Sequence, residues 1–326
     1  MFYLGIDVSK AKLDCMLLES SSQKKKSKVV PNSAAGFKQL LDWLAKQGAA
    51  DVHVVMEPTG VYHENCALAL TDAGLRLSLV NPARIRDYAK ATGFKNKTDK
   101  MDSSVLAQFG WKENPAVWEP PSQEARTLKA LLVRRDAVAE DVQREKNRKE
   151  KAESTSTPNL IMRSIDDAIM FLEAELAKLE AMIDDHIGGN PDLKETRRLL
   201  ETIPGVGPRV SSHITSLFAA KKFERAENLS SYLGLAPVFK ESGTSVKGKP
   251  QMSKEGPSHL RKLLYMPAVS ATRCNPQVKA MYERLLARGK PKMSAIGAAM
   301  RKLAHLCFGV VQSGKPYDRN FAHVAA

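Results

Sequence analysis

Residues 2–20 open on an alternation, FYLGIDVS, and continue as an apolar run, LDCMLLES, which predicts two strands folded as a hairpin. A third short strand fits residues 27–31. Phe37, Leu40, Leu41, Trp43 and Leu44 then recur at helical spacing within residues 34–46. The run DVHVVM at 51–56 is β-rich and ends in Glu57-Pro58-Thr59-Gly60, which is turn chemistry. A helix over 62–73, a strand over 75–80 stopped by Asn81-Pro82, and a helix over about 100–111 follow. A hairpin succeeded by alternating helices and strands predicts an α/β layer with a mixed sheet.

From Ser122 to about Ile187 the chain becomes charged, glycine-free and helical. Ile165, Ile169, Leu172, Leu176, Leu179 and Ile183 step by four and three in turn, a heptad seam. Leu128, Leu131, Leu132, Val138 and Val142 form an earlier apolar stripe, and the break STSTP at 154–158 predicts a hairpin of two helices. The seam suits either packing inside that hairpin or a coiled coil with a second copy, and a homodimer is the expectation. Gly188-Gly189-Asn190-Pro191 then leads into a helical C-terminal module. The expected division is a metal-binding α/β domain over 1–120, the helical hairpin over 121–190 and an all-α basic domain over 191–326.

No apolar run reaches the roughly 18 residues of a membrane span. The nearest, 295–311, is cut by Arg301 and Lys302, and the N-terminus lacks the charged start of a signal peptide. Cys15, Cys66, Cys274 and Cys307 are scattered and suggest neither a disulfide framework nor a zinc knuckle. Cytoplasmic residence without a membrane is the expectation. The net charge is +14, and the 87 residues from Lys240 onward hold 16 Lys and Arg against 4 Asp and Glu. Such concentration points to a polyanionic partner, because neutralised phosphates release counterions.

Four carboxylates stand where an α/β sheet presents ligands. Asp7 sits among apolar residues of the first strand, a costly place for a charge that is neither paired nor bound to a metal. Glu57 ends the fourth strand. Asp99 and Asp102 lie three apart at a helix start, hence on one face. Carboxylate oxygens are natural ligands of Mg²⁺. Taken singly, Asp7 fits a buried hydrogen-bonded Asp, Asp99 a helix cap and Asp102 a first-turn acid.

Downstream, LLETIPGVGPRVSSHI at 199–214 has the form of a helix-hairpin-helix. Gly205 and Gly207 would let the backbone approach a phosphate beside Arg209. Ser242-Gly243 follows in a loop, with Lys247, Lys249, Lys254, Arg261 and Lys262 as candidate phosphate contacts. Without a His or Asp close in sequence, Ser242 by itself is an ordinary loop serine.

YLGIDVSKAKLD, MEPTG and NKTDKMDSSVLA, with GLAP, ESGTSVKG, MSKEG and LRKLLYMPA, resemble the insertion-sequence transposases of family one-hundred-ten, the bridge-RNA-guided recombinases. The resemblance covers nearly the whole chain. It implies a RuvC-like, ribonuclease-H-like fold in which Asp7, Glu57, Asp99 and Asp102 are a DEDD tetrad binding Mg²⁺. It further implies that Ser242 is a nucleophile forming a phosphoserine link, with Thr244 and Ser245 as neighbouring hydroxyls. Donor and target DNA, a guide RNA, a dimer assembling to a tetramer and a bacterial, nucleoid-associated location follow as its expectations. EGPSHLRK departs from the Gly-Asn common in the family. Three other functions compete: a Holliday-junction nuclease using water, an actin-like ATPase suggested by GIDVS, and a non-catalytic nucleic-acid-binding protein. The second lacks its Asp-Gly and Gly-Gly phosphate and adenosine loops.

Overall fold

The computed structural model describes residues 1–93, 99–238, 241–242, 246–247 and 251–320, with backbone only at 99, 100, 241, 242, 246 and 247. The chain forms two compact units, Met1–Pro120 and Pro121–Ala326.

In the first unit, β1 (Phe2–Val8) and β2 (Lys12–Glu19) form the expected hairpin, and β3 (Lys25–Pro31) adds an edge strand. Helix α1 (Ala34–Lys46), capped by the Ser33 side chain accepting from the Gly36 N–H, crosses to β4 (Val52–Met56). Helix α2 (Glu64–Asp72) crosses to β5 (Arg76–Leu79). The sheet order is β3-β2-β1-β4-β5, with β1, β4 and β5 parallel and β2 and β3 antiparallel to their neighbours. This is the mixed sheet that the alternation predicts.

The strand period of two sorts the side chains. Leu4, Ile6, Val8, Cys15, Leu17, Val54 and Met56 pack on one face against Phe37, Leu40 and Leu44 of α1 and Cys66 and Leu70 of α2. The other face carries α3 (Pro82–Ala91) and α4 (Asp99–Glu113). There Tyr3, Met16 and Leu18 meet Ala107, and Val55 meets Val105, Leu106 and Phe109. Helix α3 is absent from the sequence expectation, which treats Asn81-Pro82 only as a strand stop. The same pair starts a helix: the Asn81 side chain accepts from the Ala83 N–H at 2.8 Å, and proline suits the first turn.

Both sheet edges are occupied or charged. At β5, the Trp118 N–H donates to the Leu77 carbonyl at 2.6 Å. The Ser78 hydroxyl reaches the Pro115 and Ala116 carbonyls at 3.0 and 2.8 Å. At β3, Lys25, Lys26 and Lys28 are exposed.

In the second unit, α5 (Gln123–Glu153) and α6 (Asn159–Gly188) fold into the expected helical hairpin. The heptad seam faces α5: Ile169, Leu179 and Ile183 are buried, and Ile165, Leu172 and Leu176 are half-buried. The hairpin thus uses its own seam, the first of the two alternatives. Its base is continuous with the C-terminal helices rather than divided from them near residue 190. Leu128, Leu132, Ile183 and Ile187 share a core with Leu193 of α7 (Pro191–Glu201). The larger core is built from α7, α8 (Pro208–Ala220), α9 (Ala226–Tyr232), α10 (Ser258–Cys274), α11 (Pro276–Ala287) and α12 (Lys292–Ser313). Helix α12 is long and apolar enough to cross a membrane, yet Ala295, Ala299, Leu303, Ala304 and Cys307 are fully buried in this core.

Candidate functional site

The parallel β1–β4 ladder ends with Ile6 opposite Met56. Asp7 lies one residue past this pair on β1 and Glu57 is the first residue after β4, so both stand at the carboxyl ends of adjacent strands. Gly5 identifies the face that Asp7 takes. A Cβ built on Gly5 would lie 2.0 Å from the Ser103 carbonyl oxygen and 2.4 Å from the Ala107 nitrogen, both in the backbone of α4. Asp7, two residues on, shares this face. Helix α4 can approach β1 so closely only because residue 5 has no side chain. That approach delivers the first turn of α4, with half-buried Asp102 next to Ser103, to the carboxyl end of β1. Three expected carboxylates, Asp7, Glu57 and Asp102, thus come to one edge of the sheet. Asp99 opens the same helix, and its side chain lies outside the described residues.

A fourth acid escaped the sequence reading. Asp14 pairs with Asp7 across the β1–β2 ladder, so the two share a face; it is buried and bridged to Lys12 at 2.9 Å. Its signal is register alone, since period two groups Asp14 with Met16 and Leu18 on the α4 side. Directly opposed like charges destabilise a strand pair unless they are paired or bound, as Asp14 is with Lys12. The donor set consists of carboxylate oxygens, which suits a hard divalent cation. Among the described residues, no three acids, histidines or cysteines are drawn together as a ready metal cage.

In the second unit α7, a turn and α8 span the segment read as a helix-hairpin-helix. Its two glycines serve different ends. Gly205 has φ +102°, and a Cβ there would meet the Ala271 Cβ at 2.9 Å, so it permits close packing on α10. Gly207, the residue before α8, has open space around it, as a phosphate contact needs. Arg209 pairs with Asp136 of α5 at 3.0 Å. Arg261 donates to the Leu233 and Glu255 carbonyls at 3.1 and 3.3 Å, holding the chain that leads to α10. Lys254, with φ +57°, and Lys262 are exposed.

Ser242 stands on a strand rather than in a simple loop. The pair β6 (Pro237–Val238) and β9 (Gln251–Met252) encloses in sequence the pair β7 (Glu241–Ser242) and β8 (Val246–Lys247). Ser242 faces Val246 in the inner ladder, and Lys247 is on β8. Gly243, Thr244, Ser245 and Lys249 lie outside the described residues.

The network around Asp136 was not visible in the sequence. Its carboxylate contacts Arg209 at 3.0 Å, His213 Nε2 at 3.2 Å and Arg135 at 3.3 Å. Burial raises its pKa, but the hydrogen bond and charge of His213, then Arg209 and Arg135, outweigh this and hold the carboxyl well below the usual range. These contacts join α5 to α8 through residues far apart in the chain.

Comparison with known proteins follows this geometry. Residues 4–152 match a DEDD-type family model described as Transposase, and residues 197–283 match one described as Transposase IS116/IS110/IS902 family. The pilin gene-inverting protein of Moraxella bovis is 32% identical over 322 residues, spanning 97% of this chain and 98% of that protein. The protein of the same name from Moraxella lacunata matches to the same extent. The "Insertion element IS110 uncharacterized 43.6 kDa protein" of Streptomyces coelicolor is 27% identical over 165 residues, 50% of this chain and 40% of that one. With family models over residues 4–152 and 197–283 and an end-to-end relative, the chain belongs to the IS116/IS110/IS902 family of transposases.

Proposed function

We propose that this transposase cleaves and exchanges DNA strands in a Mg²⁺-dependent reaction through a covalent phosphoserine on Ser242. The observation that supports the metal half is that Asp7 and Glu57 stand at the carboxyl ends of adjacent strands, while α4, which carries Asp102, packs against Gly5 of β1. Asp7, Glu57 and Asp102, joined by Asp99, would hold the cation. Bound Mg²⁺ would supply stabilisation of charge developing on the phosphate oxygens.

The serine half rests on the family resemblance of ESGTSVKG and on relatives named for gene inversion, an outcome that needs strand exchange as well as cutting. The Ser242 hydroxyl would attack a DNA phosphodiester and give up its proton. An Oγ–P bond forms, the bond from phosphorus to the 3′-oxygen breaks, and that oxygen takes up a proton as a free 3′-hydroxyl. Bond energy is kept in the phosphoserine, so a 3′-hydroxyl can reseal it after exchange without a nucleotide cofactor. Exposed Lys254 and Lys262, with Lys247, Lys249 and the open turn at Gly207, would hold backbone phosphates. Choice of donor and target DNA would fall to a guide RNA.

The test is adduct formation on the element's own DNA ends. Ser242→Ala should bind DNA yet form no covalent adduct, while Thr244→Ala and Ser245→Ala keep measurable activity. Continued Mg²⁺-dependent cleavage by Ser242→Ala, with water as the attacking group, would favour a junction nuclease. Asp7→Asn should keep the fold and binding but lose cleavage.

A further inference from the structure

The turn that follows Glu57 exposes two apolar side chains beside the carboxylates. Val61 is 70% and Tyr62 41% exposed, on a unit whose strands otherwise bury nearly all such residues. The turn is fixed: the Tyr62 N–H donates to the Thr59 carbonyl at 3.1 Å, and Gly60 has φ +52°. The Tyr62 ring lies 4.0 Å from where a Cβ on Gly60 would stand, an ordinary van der Waals distance, so the left-handed φ and not space calls for glycine here. Asn32 fastens this turn to the loop that follows Asp7. Its side-chain amide donates to the Ser9 carbonyl at 2.9 Å and to the Tyr62 carbonyl at 3.0 Å. Its backbone N–H donates to the Ala11 carbonyl at 2.9 Å.

Exposed apolar groups held rigidly, next to acids and within a DNA-acting family, have a natural ligand in the flat face of a nucleobase. Aromatic side chains stack on any base, and aliphatic ones wedge between base steps. A base unstacked at this edge of the sheet needs a surface to cover it. We propose that Val61 and Tyr62 form a wedge that stacks on a base flanking the phosphodiester presented to Asp7 and Glu57. Asn32 is its positioning residue. The proposal rests on the reading of the carboxylate edge as the DNA site.

The full chain carrying Asp7→Asn, which holds DNA uncut, is mixed with element-end DNA bearing 2-aminopurine at successive positions around the cleaved bond. Stacking on Tyr62 should quench the fluorescence at one flanking position. Tyr62→Ala should remove the quench and weaken binding on the order of tenfold. The salt dependence of binding should stay the same, since no phosphate contact is lost. Tyr62→Trp should restore the quench, and Asn32→Ala should reduce it while Tyr62 is intact. An unchanged thermal midpoint for Tyr62→Ala would exclude misfolding. Retained quench and affinity in Tyr62→Ala overturn the wedge, as does a changed molecular mass with unchanged fluorescence, which would make the patch a protein contact. Failure of the underlying reading is separate: it would appear as undiminished cleavage by Asp7→Asn with Tyr62 in place.

Discussion

Replacing Gly5 with alanine should damage fold and chemistry together. The added Cβ would stand 2.0 Å from the Ser103 carbonyl oxygen and 2.4 Å from the Ala107 nitrogen, against 3.4 Å for ordinary contact. Both neighbours are helix backbone, so no side chain can swing aside. Helix α4 must therefore retreat by more than 1 Å along its packed length. Retreat loosens Ala107 from Tyr3, Met16 and Leu18, and Val105, Leu106 and Phe109 from Val55. Overpacking of this kind costs about 1–3 kcal/mol. For a unit of 120 residues, each kcal/mol lowers Tm by about 4 °C, so a fall of roughly 4–12 °C is expected. Asp102 rides on the displaced turn, and a misplacement of about 1 Å at a reacting centre costs on the order of 100-fold in rate. The assay pairs a thermal melt with single-turnover cleavage of element-end DNA. Gly110→Ala is the control, since its Cβ would first meet only the Val55 side chain, at 2.7 Å, and should cost less. Parental Tm and parental cleavage in Gly5→Ala would refute the reasoning.

Truncating Ile183, buried against α5, to alanine should cost about 2–5 kcal/mol in urea denaturation, and a near-zero change would show that the seam is not internal packing. Asp136 has a folded pKa below its unfolded one, so its stabilisation is complete above about pH 4 and fades as pH falls through the folded value. Asp136→Asn should therefore flatten the acid limb of a stability–pH profile, and an unchanged limb would count against the Arg209–His213 network. Of the four thiols, only exposed Cys274 should react with a disulfide reagent at pH 8 in the folded protein. Burial pushes Cys66 and Cys307 each up to about 12 and Cys15 higher still, so titration of four thiols before unfolding would contradict the packing.

What the sequence revealed followed from local periodicity. Alternation in FYLGIDVS and the β-branched run at 51–56 located the strands, and the carboxylates at their ends could be named from spacing alone. Hidden from it was whatever depends on register or partner. Asp14 became part of the site only through its pairing with Asp7, and Gly5 mattered only once α4 lay across it. The heptad seam carried no sign of which helix would fill it, and Arg209 looked free until Asp136, 73 residues earlier, met it. Asn-Pro pairs misled in one direction only. Two of them taken as breaks, Asn81-Pro82 and Asn190-Pro191, are also helix starts, each Asn side chain accepting from the first turn.

The two margins of the five-stranded sheet bear on how copies of this transposase can come together. An open strand edge invites addition of a further strand from another molecule. At β5 the 115–118 segment already takes up that hydrogen-bonding capacity, and at β3 any incoming strand would have to lie against exposed Lys25, Lys26 and Lys28. Edge-to-edge growth of the sheet is thus disfavoured. A partner strand would have to displace these lysine side chains and strip water from their ammonium groups before its first backbone hydrogen bond could form.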